Sequence, residues 1–272
     1  MATACVRGIT IGFDELGDGL DTLLLVHGHP FNRSMWLPQA NAAANAGWRV
    51  VVPDLRGYGE TTVVPGKTTL DIFAADLAGL LDHLGIGDVV IGGLSMGGQI
   101  VMEFARQYPA RVRGLVLAAT FPQADTDDGR RRRNAMADRL VEEGMGPYAS
   151  EVLPKMLAAR TITTLPAVAD HVTAMMRTTN PEGAAAALRG RAERPSYEET
   201  LARLSVPTLV VVGSEDAFTT RQDADRMHDL VRGSELVWID GIGHMPNLES
   251  PEVFNASLVR FLDRVQPTGK KA

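Results

Sequence analysis

An α/β architecture is predicted by this sequence: a mostly parallel, eight-stranded sheet flanked by helices, with a helical lid inserted after the sixth strand. Three observations lead there. Short apolar runs rich in Val, Leu and Ile alternate with amphipathic helical stretches, the pattern of strands buried on both faces and joined by crossover helices. The loops that follow these runs carry glycine beside Ser, His and Asp, so polar chemistry collects at the carboxyl edge of the sheet. One long stretch, 122–198, has no strand pattern and gives helical segments punctuated by Gly and Pro. The expected division is a core from residues 1–121 and 199–272 and a cap from 122–198.

The elements follow in order. Residues 4–7 and 9–13, separated by Gly8, suit antiparallel edge strands before the Gly17-Asp18-Gly19 turn. Thr22-Leu23-Leu24-Leu25-Val26 is a buried strand, and Asn32 or Ser34 can cap a helix over 39–46. Arg49-Val50-Val51-Val52-Pro53 is the next strand. Leu70, Phe73, Ala74, Leu77, Leu80, Leu81 and Leu84 stripe a helix over 69–84, capped by Thr68 or Thr69 and stopped by Gly85. Val89-Val90-Ile91 leads into Gly92-Gly93-Leu94-Ser95-Met96-Gly97-Gly98, and Ile100, Val101, Phe104 and Ala105 continue at helical spacing. Residues 114–119 form the sixth strand. The lid helices are expected over 127–144, 148–159, 166–179 and 181–192. They hold Met136, Met145, Met156, Met175 and Met176, flexible side chains that can cover a pocket and adapt to its occupant. Strands at 206–213 and 236–239 enclose a helix over 220–230. A last helix starts at Ser250-Pro251 with Val253, Phe254, Leu258, Phe261 and Leu262 facing inward. Residues 267–272 are read as a frayed basic tail.

Composition narrows the function. The 272 residues carry a net charge of -6, with no global basic surface to suggest nucleic acid. No apolar run is long enough to span a bilayer and no signal peptide is visible, so a cytoplasmic enzyme is expected, with no nucleic acid or membrane partner, as monomer or homodimer. The lone Cys5 excludes an intrachain disulfide and is read as a small buried residue. His27 and His29 stand in an H-x-H spacing without a third ligand nearby. They are read as loop histidines that bond backbone, and neither metal nor cofactor is expected. Asp54 and Arg56 are assigned to fixing their loop. Arg130 to Arg133 splay around a helix and are read as a solvated surface.

The chemistry lies in three loops. Gly93-Leu94-Ser95-Met96-Gly97 is a G-x-S-x-G turn between strand and helix, which strains the serine backbone and lifts its hydroxyl clear of the sheet. A serine hydroxyl needs a base in contact, and the base needs an acceptor that holds its tautomer. Asp216, preferred over adjacent Glu215 because it sits deeper in its loop and next to Phe218, and His244 lie in later loops at the same edge, in the order Ser…Asp…His. The amides of Met96 and Phe31 are the expected oxyanion donors. His27, Gly28, His29, Phe218 and Met245, with Met136 and Met156 of the lid, are expected to line the substrate pocket.

With His27-Gly28-His29-Pro30, Asp54-Leu55-Arg56-Gly57-Tyr58-Gly59, the Ser95 turn, Gly213-Ser214-Glu215-Asp216 and Gly243-His244, the chain resembles the α/β-hydrolase fold over nearly its whole length. It is most similar to the esterase and lactonase branch, including enol-lactonases and acyl-homoserine lactone-degrading esterases, with cofactor-free haloperoxidases close by. The resemblance implies Ser95 as nucleophile, His244 as base, Asp216 as orienter, and a small, mostly apolar ester or lactone as substrate. It leaves open perhydrolysis, carbon–carbon hydrolysis and a hydrolase-like receptor. The serine itself separates the chain from dehalogenases and epoxide hydrolases of this fold, which use aspartate. Thr219-Thr220 departs from the proline that many relatives carry after the acid.

Overall fold

In the computed structural model, which describes residues 2–265, eight strands form one sheet in the order β1-β2-β4-β3-β5-β6-β7-β8. They are β1 (Ala2–Val6), β2 (Ile9–Leu16), β3 (Thr22–Val26), β4 (Arg49–Pro53), β5 (Val89–Leu94), β6 (Val112–Ala118), β7 (Thr208–Gly213) and β8 (Glu235–Ile239). β2 pairs antiparallel with both β1 and β4, and every other pairing is parallel, so β2 alone is reversed. The chain leaves β3 toward β4 on one side and leaves β5 toward β6 on the other. That divergence opens a crevice beyond the carboxyl ends of β3 and β5, where sheets of this kind bind ligands.

Successive side chains alternate between two layers. Leu24, Val26, Val51, Ile91, Leu115, Leu117, Val210 and Val212 face α2 (Leu70–His83) and α3 (Met96–Gln107). Leu23, Leu25, Val50, Val52, Val90, Val116, Leu209 and Val211 lie in the opposite layer with α1 (Leu37–Asn45). Between β6 and β7 come α4 (Asp127–Glu143), α5 (Met145–Met156), α6 (Ala159–Thr164), α7 (Pro166–Thr178), α8 (Pro181–Arg191) and α9 (Glu198–Ala202). α4 and α8 share a small apolar core of Ala137, Leu140, Ala184, Ala185 and Leu188. α10 (Arg221–Leu230), α11 (Pro246–Glu249) and α12 (Pro251–Leu262) complete the chain. No helix among the described residues is long and apolar enough to cross a membrane.

Several details differ from expectation, each for a local reason. Cys5 is exposed, because Ala4 and Val6 take the inward positions of β1 and Cys5 falls on the other face. Val253 is 45% exposed, since it lies one helical step from the buried stripe of Phe254, Leu258, Phe261 and Leu262. Ser250 and Thr69 occupy their N-cap positions without a side-chain capping bond. Asn32 caps a short 3-10 turn, Arg33–Trp36, that precedes α1. α5 starts earlier than expected because Pro147 fits the first turn, where its missing N–H has no helical partner to lose. The 267–272 tail lies outside the described residues.

Candidate active site

Ser95 sits between β5 and α3 with φ +56° and ψ -115°, a conformation that costs about 1–3 kcal/mol for a non-glycine residue. The surroundings impose it. The Ser95 amide donates to the Ala118 carbonyl at 2.9 Å, and Thr120 Oγ1 donates to the Ser95 carbonyl at 2.8 Å. The flanking glycines are steric necessities: a Cβ on Gly97 would lie 2.2 Å from the Val26 carbonyl oxygen, and one on Gly93 would lie 2.3 Å from the Gly97 carbonyl. This close seating draws α3 against β3 and β5 and turns the serine toward the crevice.

His244 and Asp216 meet across the ends of β7 and β8. His244 Nδ1 is 2.9 Å from each Asp216 carboxylate oxygen. A carboxylate only accepts, so Nδ1 carries the proton and Nε2 is left as the basic nitrogen. Asp216 Oδ1 also accepts from the amides of Phe218 at 2.8 Å and Thr219 at 3.1 Å. Burial by itself would raise the Asp216 carboxyl; the charge and hydrogen bond of His244, with those two amides, outweigh it and hold the group below the ordinary carboxylate value. Thr219 thus forms the acid loop without proline. The Phe218 ring meets the His244 ring edge-on, with centroids 4.7 Å apart. The His244 amide donates to the Met156 carbonyl at 3.1 Å. Buried Glu249 accepts from the amides of Met245 and Ala158 and from Thr161 Oγ1, tying the His244 loop to the start of α6.

Ser95 and His244 open into one cavity of about 370 Å³, whose walls include the expected His29, Met136, Met156 and Phe218. No hydrogen bond joins Ser95 to His244 among the described residues; such contacts are commonly loose until substrate is bound. Three expected pocket residues, His27, Gly28 and Met245, are not among the cavity walls. His27 is wholly buried, its Nδ1 donating to the Gly28 carbonyl and its Nε2 accepting from the Leu55 amide. Burial holds it below the ordinary histidine value against the pull of Asp54. Gly28 passes beside Ser95, where an added Cβ would stand 3.4 Å from the serine Cβ. Met245 is in the core. Phe31, the expected second oxyanion donor, has its amide committed to the Gly28 carbonyl at 3.0 Å, which closes the loop into a turn. Met96 is buried as the first residue of α3, where an amide has no helical acceptor.

Asp54 accepts from Arg33, and Arg56 pairs with Asp76, so both fix loops as expected, though through partners other than each other. His29 Nδ1 bonds the Tyr58 hydroxyl at 2.8 Å, and burial, then the Arg191 and Arg133 charges, keep the ring neutral. No three His, Cys, Asp or Glu side chains converge as metal ligands among the described residues.

The cavity also has walls that the sequence reading missed: Tyr148, Asp125, Arg132, Arg133, Lys155 and Arg191. Its lining is far more cationic than the expected apolar pocket. Of the four arginines expected on a solvated surface, Arg132 is exposed but borders the cavity, and Arg133 is half-buried there beside Asp125. Arg130 and Arg131 lie away from the cavity, paired with Asp127 and Asp128. A clue to Arg191 exists in 181–191, where an arginine interrupts an alanine face that must pack.

A strained serine, a carboxylate-held histidine and a shared cavity are together capable of acyl transfer. The α/β hydrolase fold family model matches residues 21–251. The chain belongs to the α/β-hydrolase fold family. This α/β-hydrolase is 29% identical to 3-oxoadipate enol-lactonase 1 of Acinetobacter baylyi over 235 residues, 86% of either chain. It is 27% identical to a 2-hydroxy-6-oxononadienedioate/2-hydroxy-6-oxononatrienedioate hydrolase of Burkholderia vietnamiensis, over 94% of this chain and 92% of that one. Among solved structures, a thermophilic esterase from Thermogutta terrifontis with malate bound superposes with a TM-score of 0.94 at 38% identity, over 98% and 99% of the two chains. These similarities place the α/β-hydrolase with esterases and lactonases.

Proposed function

We propose that this α/β-hydrolase cleaves carboxylic esters or lactones through an acyl-enzyme on Ser95. The observation that carries this reading is the left-handed Ser95, exposed to the same cavity as a His244 whose tautomer Asp216 fixes. In this mechanism Ser95 Oγ attacks the substrate carbonyl while His244 Nε2 takes its proton. His244 then returns the proton to the leaving alcohol, breaking the ester bond. Water, activated by the same nitrogen, releases the acid. Asp216 stays ionised and steadies the imidazolium.

The oxyanion needs two donors. The Met96 amide, at the positive end of α3, is the first. Because the Phe31 amide is engaged with Gly28, we assign the second to the His29 amide, which has no hydrogen-bond partner among the described residues and belongs to the loop that touches Ser95. The helices of 122–198 act as a cap, supported by the cavity residues that α4, α5 and α8 contribute. A lone cysteine needs no oxidising compartment, which supports a cytoplasmic setting.

The deciding experiment measures proton release from linear esters and lactones with wild type and Ser95→Ala. The expected result is turnover that falls by about ten-thousandfold or more in the variant. Turnover that survives in Ser95→Ala, or none with any ester or lactone in wild type, overturns the reading. The similarity to the oxononadienedioate hydrolase favours including a carbon–carbon substrate in the panel; preference for it would replace the bond cleaved while retaining the nucleophile under test.

A further inference from the structure

Arg191 ends α8 with its residue only 8% exposed. Its Nε donates to Gln99 Oε1 at 2.7 Å. Neither terminal nitrogen bonds another described residue, and no carboxylate pairs with it among them. Asp125, the only acidic residue on the cavity wall among the described residues, is already shared by Arg133 and Arg194, the latter at 2.7 Å. Arg132 and Lys155 add further positive charge at the same cavity. Two more buried nitrogens lack partners: Gln99 Nε2, on the amide that holds Arg191, and His29 Nε2, on a wall residue. A guanidinium keeps its proton at neutral pH. Burial opposes its charge, as do Arg133 and Arg194, against a smaller pull from Asp125 and Tyr148. An enclosed cation with no paired carboxylate, beside orphaned polar groups, is an arrangement that an anion completes.

The cavity that Arg191 borders is the one that Ser95 and His244 open into, so the anion has to travel on the substrate itself. The planar fork of a guanidinium with both terminal nitrogens free matches a carboxylate in shape and donor spacing. We propose that Arg191 anchors a free carboxylate of the substrate, making the preferred substrates esters or lactones that carry a second, ionised acid group. This rests on the Ser95 hydrolase reading and replaces the apolar acyl group expected from the sequence. Gln99 acts on Arg191 as a positioning residue, fixing the guanidinium through Nε and leaving the other two nitrogens for the ligand.

The test uses matched aryl esters of succinic, glutaric and adipic acids, each with its distal acid free or as a methyl ester. For at least one chain length, wild type should show kcat/KM about tenfold or more in favour of the free acid. In Arg191→Met that ratio should fall to near one, with Arg191→Lys between, since an ammonium keeps the charge without the fork. A wild-type ratio at or below one for all three lengths overturns the anchor, as does a ratio unchanged in Arg191→Met; in both cases ester turnover itself still supports the hydrolase. If Arg191→Met does not fold, the wild-type ratio and Arg191→Lys decide. If wild type hydrolyses none of the esters, the hydrolase reading has failed, and calorimetry with free glutarate and adipate decides the anchor alone. Saturable binding that weakens about tenfold in Arg191→Lys supports it, and absent or unchanged binding overturns it.

Discussion

At the scale of single residues, Asp216 is asked for two things. It orients His244 and, as an ionised group held below its ordinary pKa, it stabilises the fold. Asp216→Asn should keep the loop but favour the wrong imidazole tautomer, and kcat for ester hydrolysis should drop by about a thousandfold or more. The pH dependence has a definite sign. A carboxyl with a depressed folded-state pKa contributes stability above its unfolded value of about 4, and that contribution is lost as pH falls through the lower folded value. The melting-temperature gap between wild type and Asp216→Asn should therefore be full at neutral pH and close below about pH 4. Gly97 gives a purely steric counterpart. Gly97→Ala sets a methyl 2.2 Å from a β3 carbonyl, and denaturant titration should show a loss of about 3 kcal/mol or more. Ser95, Asp216, His244 and Gly97 were legible in the sequence because each is dictated by a turn or by chemistry local to one loop. Arg191 was not, since an arginine in a helix is ordinarily solvated. Only the packing of α8 beside α4 encloses it. The turn in which the Phe31 amide meets the Gly28 carbonyl was not legible either, since it depends on how the whole loop closes.

Among the elements, the junction of α11 with the start of α6 decides how the base is held. Glu249 receives three donors from two separate segments, the backbone of Met245 in the His244 loop, and the backbone of Ala158 with the hydroxyl of Thr161 at the start of α6. Glu249→Ala leaves these buried donors without an acceptor and should cost about 2–4 kcal/mol in unfolding free energy. It should also lower kcat more than it changes KM, because the His244 loop loses its fixed height while the pocket wall remains; a KM effect alone would contradict this role. Such an interaction cannot be read from sequence, where Glu249 looks like a residue of a short polar turn. The strands, by contrast, were readable because period-two alternation and β-branched runs survive without tertiary context. The four longer inserted helices were readable, but the short α6 and α9 were not, and bounds shifted because Pro147 and Pro154 both lie within α5 rather than at its limits.

The whole molecule sets a negative net charge against a cationic interior cleft. An anionic substrate is repelled by the exterior and drawn by the groups around the mouth, where Arg132 and Lys155 are exposed to solvent. Raising ionic strength from about 0.05 to 0.5 M should raise KM for a carboxylate-bearing ester a few-fold, while a neutral ester of equal size changes little. Identical salt responses for the two would contradict local attraction. The sheet order was only partly foreseeable, because register and neighbour order arise from contacts between distant segments. Yet the divergence at β3 and β5 follows once that order is known, and with it the location of the crevice. The Glu249 junction has a further consequence at this scale. Any movement that carries α6 away from the sheet must stretch the bonds that hold the His244 loop, so the vessel and the tool inside it share a fastening. On the Ser95 hydrolase reading, weakening this fastening should slow turnover even where the cavity lining is left unchanged.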